Sequence, residues 1–376
     1  MSAPSLDALA LGLAAAAQPA CIARMLRAAP GLWPTLPLAD SLEAAGLHGP
    51  GAVAHWRAEA GRMAARAATL GYGLIWPDHD LYPPLLGSLV DPPLLLWTRG
   101  DVATLHAPIV AIVGSRRATA SGREVAGQLA ADLAAAGVVV ASGFAQGIDA
   151  AAHRGALTRG RSVAVLGCGL DQSYPRDHAP LADHLARQGV LISEFAPGTP
   201  PLAHHFPLRN RVLAGLASGV VVVQAALRSG SLITARLALE QGRDVMAVPG
   251  DVRTGAHAGA HALIRDGARL VETAADVLDQ LGWDRGVAVA TSGADQTHAS
   301  GARDDRSDEP ATFGRGPDGA SLRALLAREG GATLDELISE TGRNSSDLLG
   351  ELLDLELAGL LARDAAGRFL PPERKW

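Results

Sequence analysis

Residues Pro108-Ile109-Val110-Ala111-Ile112-Val113-Gly114-Ser115-Arg116-Arg117 decide the fold. The apolar run Pro108–Val113, mostly β-branched, is long enough for a buried strand and too short for a helix. Gly114 closes it, and a helical pattern starts near Ser121. Strand, glycine turn and helix in succession form half of a parallel βαβ unit. The unit recurs: Val138–Ala141, Ser162–Leu166, Val190–Ser193, Gly219–Gln224 and Asp244–Val248 are further nearly continuous Val/Ile/Leu/Ala runs separated by helical patterns. Such runs belong to strands covered on both faces, which predicts an α/β fold built on a doubly wound, mostly parallel sheet. Ligands of such sheets sit at the carboxyl ends of the strands, so the residues just after each strand carry the functional information.

Outward from this core, residues 1–70 are Ala/Leu-rich with helical spacing and predict a small helical domain of the SAM or helix-hairpin kind. The core is assigned to residues 71–282, and its segment Leu94–Thr98, set off by Asp91-Pro92-Pro93, is expected to pair onto the sheet. Residues 283–318, rich in Ser, Gly, Asp, Thr and Pro, read as a flexible linker. In 319–376, three short amphipathic segments (Gly319–Arg328, Thr333–Thr341, Ser345–Glu356) precede Leu360–Leu370 with its Asp-Ala-Ala-Gly turn, a pattern that predicts a winged-helix domain.

Composition excludes several classes. At 376 residues, with 48% hydrophobic and 19% charged residues, the chain is neither disordered nor membrane-embedded. The apolar stretch Ala8–Ala17 is half of the ~20 residues a span needs and lacks a basic flank, so neither signal peptide nor membrane insertion is expected. Cys21 and Cys168 make no disulfide framework, which fits the cytoplasm. The basic residues are 32 arginines and one lysine, Lys375, so neither a Walker A lysine nor a Schiff-base lysine is available. Net charge is −6, yet residues 108–270 hold 16 Arg against 11 acids and seven of the twelve histidines. An anionic partner belongs there.

Four strand ends carry the candidate chemistry. Gly114-Ser115-Arg116-Arg117 either presents backbone N–H groups and arginine donors to an anion or is a tight turn with solvated arginines. Ser142-Gly143-Phe144-Ala145-Gln146-Gly147 opens the next helix, where Asp149 and His153 are either an acid/base pair or a dipole-capping acid beside a core histidine. Phe206-Pro207-Leu208-Arg209-Asn210-Arg211 offers an aromatic platform and two phosphate clamps, or a core Phe with arginines in surface ion pairs. Ser229-Gly230-Ser231-Leu232-Ile233-Thr234 opens a fourth helix with hydroxyls towards an anion. Gly167-Cys168-Gly169 lacks the third glycine of a dinucleotide fingerprint, so no such cofactor is expected. His257 and His261 have the spacing of a zinc pair, but the intervening Ala-Gly-Ala is a poor helix and no third ligand is evident, so no metal is expected.

Taken in order with Tyr174-Pro175, Ser193-Glu194, Val248-Pro249-Gly250, Leu263-Ile264 and Gly267-Ala268, these motifs resemble the DNA-processing protein A (DprA/Smf) family over roughly residues 75–270. The resemblance implies a Rossmann-like core that binds single-stranded DNA without sequence preference, a homodimer, loading of the RecA recombinase in natural transformation, and no enzymatic activity. Single-strand-binding protein is a further implied partner. Carried over by position, the DNA site would comprise Gly114, Ser115, Arg116, Ser142, Gly143, Phe144, Gly147, Phe206, Arg209, Asn210, Arg211, Ser229, Gly230, Ser231, Thr234, His257 and His261. Gln224 stands where a Glu is common, and His257 and His261 where Ser and Asn are frequent. The segment Gly319–Leu370 has 5 Arg against 9 acids, which points to protein rather than DNA contact. The competing class is a nucleotide-processing hydrolase resembling phosphoribohydrolases. Leu237 occupies the position of that group's loop glutamate, which argues against it.

Overall fold

The computed structural model describes residues 4–17, 37–47, 49–172 and 174–283, together with Leu337, Leu352, 362–363 and 369–370. Two compact units are present, 1–291 and 292–376.

The first unit is organised on one nine-stranded sheet. Its strands are β1 (Gly73–Ile75), β2 (Leu96–Gly100), β3 (Ile109–Val113), β4 (Val139–Ser142), β5 (Ser162–Val165), β6 (Val190–Ser193), β7 (Gly219–Val222), β8 (Asp244–Ala247) and β9 (Arg269–Leu270), in the order β1-β2-β6-β5-β4-β3-β7-β8-β9. Neighbours from β6 to β9 run parallel, and β1 and β2 add an antiparallel edge through Trp97↔Ser193 and Gly100↔Val190. All six strands expected from the apolar runs are present, and Leu94–Thr98 pairs onto the sheet as Leu96–Gly100. The chain winds outward in both directions from β3 and β7, which defines the switch point of a doubly wound sheet.

Alternate residues of each strand face opposite layers. Val110 and Ile112 of β3 pack with Ala126, Leu129 and Leu133 of helix α5 (Ala120–Ala135) and Ile148 and Ala152 of α6 (Ile148–Ala156). Ala111 and Val113 face Val212 and Leu213 of α8 (His205–Leu216) and Ala235 and Ala238 of α9 (Gly230–Glu240). Both faces of β3 are therefore buried, the reason its sequence is uninterrupted by polar residues. Helices α1 (Leu6–Ala17), α2 (Leu38–Ala44) and α3 (Ala52–Leu70) share a third cluster with Trp97, Leu166, Leu170 and Leu191, so they pack directly on the β5–β6 region. The remaining α-helices among the described residues of this unit are α4 (Pro84–Gly87), α7 (Ala179–Gln188), α10 (Ala258–Arg265) and α11 (Ala274–Gln280).

In the second unit, β10 (Ala362–Arg363) and β11 (Phe369–Leu370) form an antiparallel pair, matching the hairpin expected in Leu360–Leu370. Leu337 and Leu352 are helical and buried. The expected linker over 283–318 lies, apart from Trp283, outside the described residues, as does the rest of the three expected helices.

Candidate nucleic-acid interface

The turn after β3 does not present the open backbone cradle expected from Gly114-Ser115-Arg116-Arg117. The Ser115 N–H donates to the Gln224 carbonyl at 2.7 Å, and the Arg117 N–H donates to Ser115 Oγ at 3.2 Å. Gln224 Oε1 then accepts from Thr119 N and Oγ1 at 3.1 and 3.3 Å, while Thr119 Oγ1 caps Gly122 N at 3.0 Å. These bonds occupy the Ser115 and Arg117 N–H groups, so the turn offers an anion fewer donors than its sequence suggests. Gly114 is required by proximity, since a Cβ there would stand 2.6 Å from Ile148 Cγ1 and 2.9 Å from the Gln224 carbonyl. Gly114 and Ser115 are thus structural, and the turn serves to aim the exposed Arg116 outward.

One strand over, the turn after β4 stays open. Ser142 is fully buried, and its hydroxyl donates to the Ile112 carbonyl at 2.6 Å, so it cannot be the DNA contact the resemblance implies. The Gly143 N–H has no partner among the described residues, and neither do those of Phe144, Gln146 and Gly147. Phe144 takes φ 60° and Gly147 φ 80°, left-handed conformations that fold the segment back at the start of α6. The Phe144 ring is not a base platform: it is buried, 5.3 Å from the His178 ring and 5.8 Å from that of His153. Helix α6 has no side-chain cap at its N-terminus, and the acid in its first turn is the buried Asp149.

Asp149 and His153 are not an acid/base pair. Asp149 Oδ2 accepts from the Ala145 N–H at 3.3 Å, whereas His153 Nδ1 is bonded to Ser162 Oγ at 2.8 Å. Burial pushes the Asp149 carboxyl up, partly offset by Arg209, and holds His153 neutral, pushed down to about 3.

Helix α8 splits its two arginines. Arg209 is 5% exposed, and its Nη1 donates to the Val165 carbonyl at 2.6 Å. Burial lowers its pKa to about 10, so it remains a cation at neutral pH. It lies directly behind Gly143, where a Cβ would come within 2.2 Å of Nη1. Arg209 is therefore an internal charge that supports the open turn, not a phosphate clamp. Arg211 is also withdrawn: it pairs with Glu194, and its Nη1 donates to the Asp91 carbonyl at 2.6 Å. The ion-pair alternative describes Arg211 correctly. Asn210 is half-buried outside the cleft.

Phe206 does stand at the site. The Arg116 guanidinium lies 5.1 Å from its ring centroid, and the Tyr174 ring lies 5.5 Å from it on another side. Together with Gly143, Gln146, Gly167 and Arg176 they line an open cleft of about 380 Å³ at the carboxyl ends of β4 and β5. Arg116, Arg117 and Arg176 are exposed and have no ion-pair partner among the described residues. Tyr174, Gln146 and Arg176 were not among the expected site residues. The available signal was the motif series itself, which already held Tyr174-Pro175 and the turn that contains Gln146.

The other expected residues lie elsewhere. Ser229 Oγ caps its own helix, 2.7 Å from Ser231 Oγ and 3.4 Å from Ser231 N, and Ser231 and Thr234 are buried; only Gly230 is open. His261 Nε2 accepts from the Gly250 N–H at 3.2 Å, with the His257 ring stacked 6.1 Å away. Neither set lines the cleft. Among the described residues no group of three or more His, Cys, Asp or Glu could hold a metal ion.

Fold and cleft define a Rossmann-like α/β protein whose strand-end cleft combines free arginines, open backbone N–H groups and the rings of Phe206 and Tyr174. Residues 73–282 match the family DNA recombination-mediator protein A, and residues 306–367 match the DprA winged helix domain. Protein Smf of Escherichia coli K12 is 41% identical over 298 residues, covering 78% of this chain and 76% of that protein. The X-ray structure of DNA processing protein A from Streptococcus pneumoniae superposes with a TM-score of 0.66 at 35% identity, covering 74% of this chain and 99% of that one. A Helicobacter pylori DNA processing protein A, described for its single-stranded DNA binding mode, superposes with a TM-score of 0.51 at 30% identity over 56% of this chain and 95% of that one. The chain belongs to the DprA/Smf family.

Proposed function

We propose that this protein binds single-stranded DNA without sequence preference, works as a cytoplasmic homodimer, and delivers the strand to the RecA recombinase during transformation or general recombination. The observation that carries the reading is the Arg116–Phe206–Tyr174 group at the mouth of the strand-end cleft. An aromatic face stacks any base, and an arginine beside it neutralises any phosphate, so neither selects sequence. The unpartnered N–H groups of the Gly143–Gly147 turn add donors for a phosphate oxygen, with the buried Arg209 charge behind them. The H. pylori relative, described for its single-stranded DNA binding mode, supports the same use of this fold.

The protein acts by binding rather than turnover. Glu194 is committed to Arg211 and Asp149 to the Ala145 N–H, and among the described residues the carboxylate that lines the cleft, Asp177, is exposed. No described helix is long and apolar enough to cross a membrane. The test is fluorescence anisotropy of a labelled oligo-dT and its duplex across a salt series, for wild type and Arg116→Ala. The expected result is preference for the single strand, affinity falling with salt, and a slope reduced by about 0.7 in the variant. Equal affinity for the duplex, or an indifferent Arg116, would overturn the proposal.

A further inference from the structure

A second cleft of about 310 Å³ lies on the other side of the first turn of α8. The two clefts share that turn: Phe206 lines the first and His204, His205 and Leu208 line the second. Gly167 lets them come together, since a Cβ there would stand 3.1 Å from Phe206 Cδ1 and 3.5 Å from the His205 carbonyl. The far wall of the second cleft comes from the amino-terminal helices, with Leu13 of α1 and Trp56 and Glu59 of α3.

The chemistry of this cleft suits a planar heterocycle and opposes a phosphate. Trp56, Phe195 and Leu13 give it flat apolar walls. The Phe195 and His205 rings stack at 4.1 Å with 24° between their planes, forming a rigid floor. His205 is 8% exposed. Burial lowers its pKa, outweighing the hydrogen bonds to the Pro200 and Gly167 carbonyls, so the ring is neutral and stacks as an uncharged plane. The acidic side chain in the lining, Glu59, is paired with Arg62, which leaves no cation over to attract phosphate.

We propose that this cleft is a second base subsite: a strand whose backbone is held at Arg116 passes over the first turn of α8 and lodges one unstacked base between Trp56 and the His205–Phe195 floor. The inference rests on the single-strand reading of the first cleft and extends it, because it makes the helical region 1–70 part of the DNA interface. An aromatic slot floored by the stacked Phe195–His205 pair, continuous with the first cleft through one helical turn, is what carries it.

The test is an abasic scan. A fluorescein-labelled dT oligonucleotide carrying one abasic site, walked along its length, is titrated by anisotropy into wild type, Trp56→Ala, His204→Ala and Arg116→Ala. In wild type, two separate positions are expected to lose about tenfold in affinity when the base is removed, the scale of one lost base–aromatic stack. In Trp56→Ala and in His204→Ala, one of those two sensitivities disappears and the other remains. His204 is exposed, so its removal keeps the test sound if Trp56→Ala fails to fold. Scans of both variants that coincide with that of wild type, while Arg116→Ala still weakens binding, would overturn the second subsite and leave the first cleft standing. An Arg116→Ala protein that binds as wild type would overturn both.

Discussion

Arg209→Ala and Arg116→Ala have opposite consequences, although both positions read as phosphate clamps in the sequence. Removing Arg209 leaves the Val165 carbonyl without its 2.6 Å donor and deprives the buried Asp149 of the cation that favours its ionised form. Breaking a buried charge arrangement by deleting one member costs about 3–5 kcal/mol, a large part of the ~5–15 kcal/mol that a domain has. Arg116 is exposed and touches the Phe206 face, so its loss costs only about 0.5–1 kcal/mol of folding stability. Equilibrium urea unfolding followed by circular dichroism reads the difference. With m near ~3 kcal/mol/M, the Arg209→Ala midpoint should fall by more than about 1 M while that of Arg116→Ala barely moves. Anisotropy with oligo-dT gives the converse for Arg116→Ala, a weaker complex formed by a stable protein. An Arg209→Ala protein within about 0.5 kcal/mol of wild type that no longer binds DNA would refute the assignment of Arg209 as an internal support.

Three further outcomes follow from the same geometry. Arg66 of α3 bonds Asp171 at 2.6 Å, and Asp171 also accepts from the Gly198 N–H at 2.7 Å, fixing the loop that leads to Tyr174; Arg66→Ala should therefore weaken oligo-dT binding several-fold without changing the salt slope, and unchanged affinity would count against that role. His153 is held neutral by burial, with its pKa pushed down to about 3, so the unfolded chain takes up a proton below the ordinary histidine value and the folded chain does not. Stability should then fall by about 2 kcal/mol between pH 6.5 and 5 at this site alone, and His153→Gln should flatten that part of the urea-midpoint profile. Gly147→Ala would force a Cβ to within 2.2 Å of the Ser115 carbonyl at φ 80°, so a loss of more than about 2 kcal/mol is expected, measured by thermal unfolding.

The sheet was legible because strands buried on both faces have a continuous apolar signature, and Val110–Val113 shows it without ambiguity. The site was legible only in part. Four strand-end turns looked equivalent, yet Gln224 ties down part of one, while the N–H groups of Gly143, Phe144, Gln146 and Gly147 have no partner among the described residues in another. Both outcomes depend on partners brought together by the fold, which local sequence does not encode. Arg211 was decided by Glu194 and Asp91, distant in sequence, though helical geometry held a hint. At 3.6 residues per turn it stands roughly 140° around the helix from Phe206, facing away from whatever Phe206 meets. Tyr174 and Arg176 lie between β5 and α7, Arg176 at the start of a single 3-10 turn (Arg176–His178), where no periodic pattern marks them.

The antiparallel edge of the sheet has a consequence for synthesis. Strand β2 ends at Gly100, but the β6 backbone it pairs with begins at Val190. A ribosome adding ~5–20 residues per second needs roughly 5–20 seconds to cover that interval. During it the β1–β2 pair and the helices before it have no sheet to close against, and Trp97 and Leu96, fully covered in the finished protein, remain accessible. The nascent chain is therefore most in need of a chaperone in the window between the emergence of β2 and that of β6, and a pause in translation placed there would lengthen the exposure of the surface on which the amino-terminal helices finally dock.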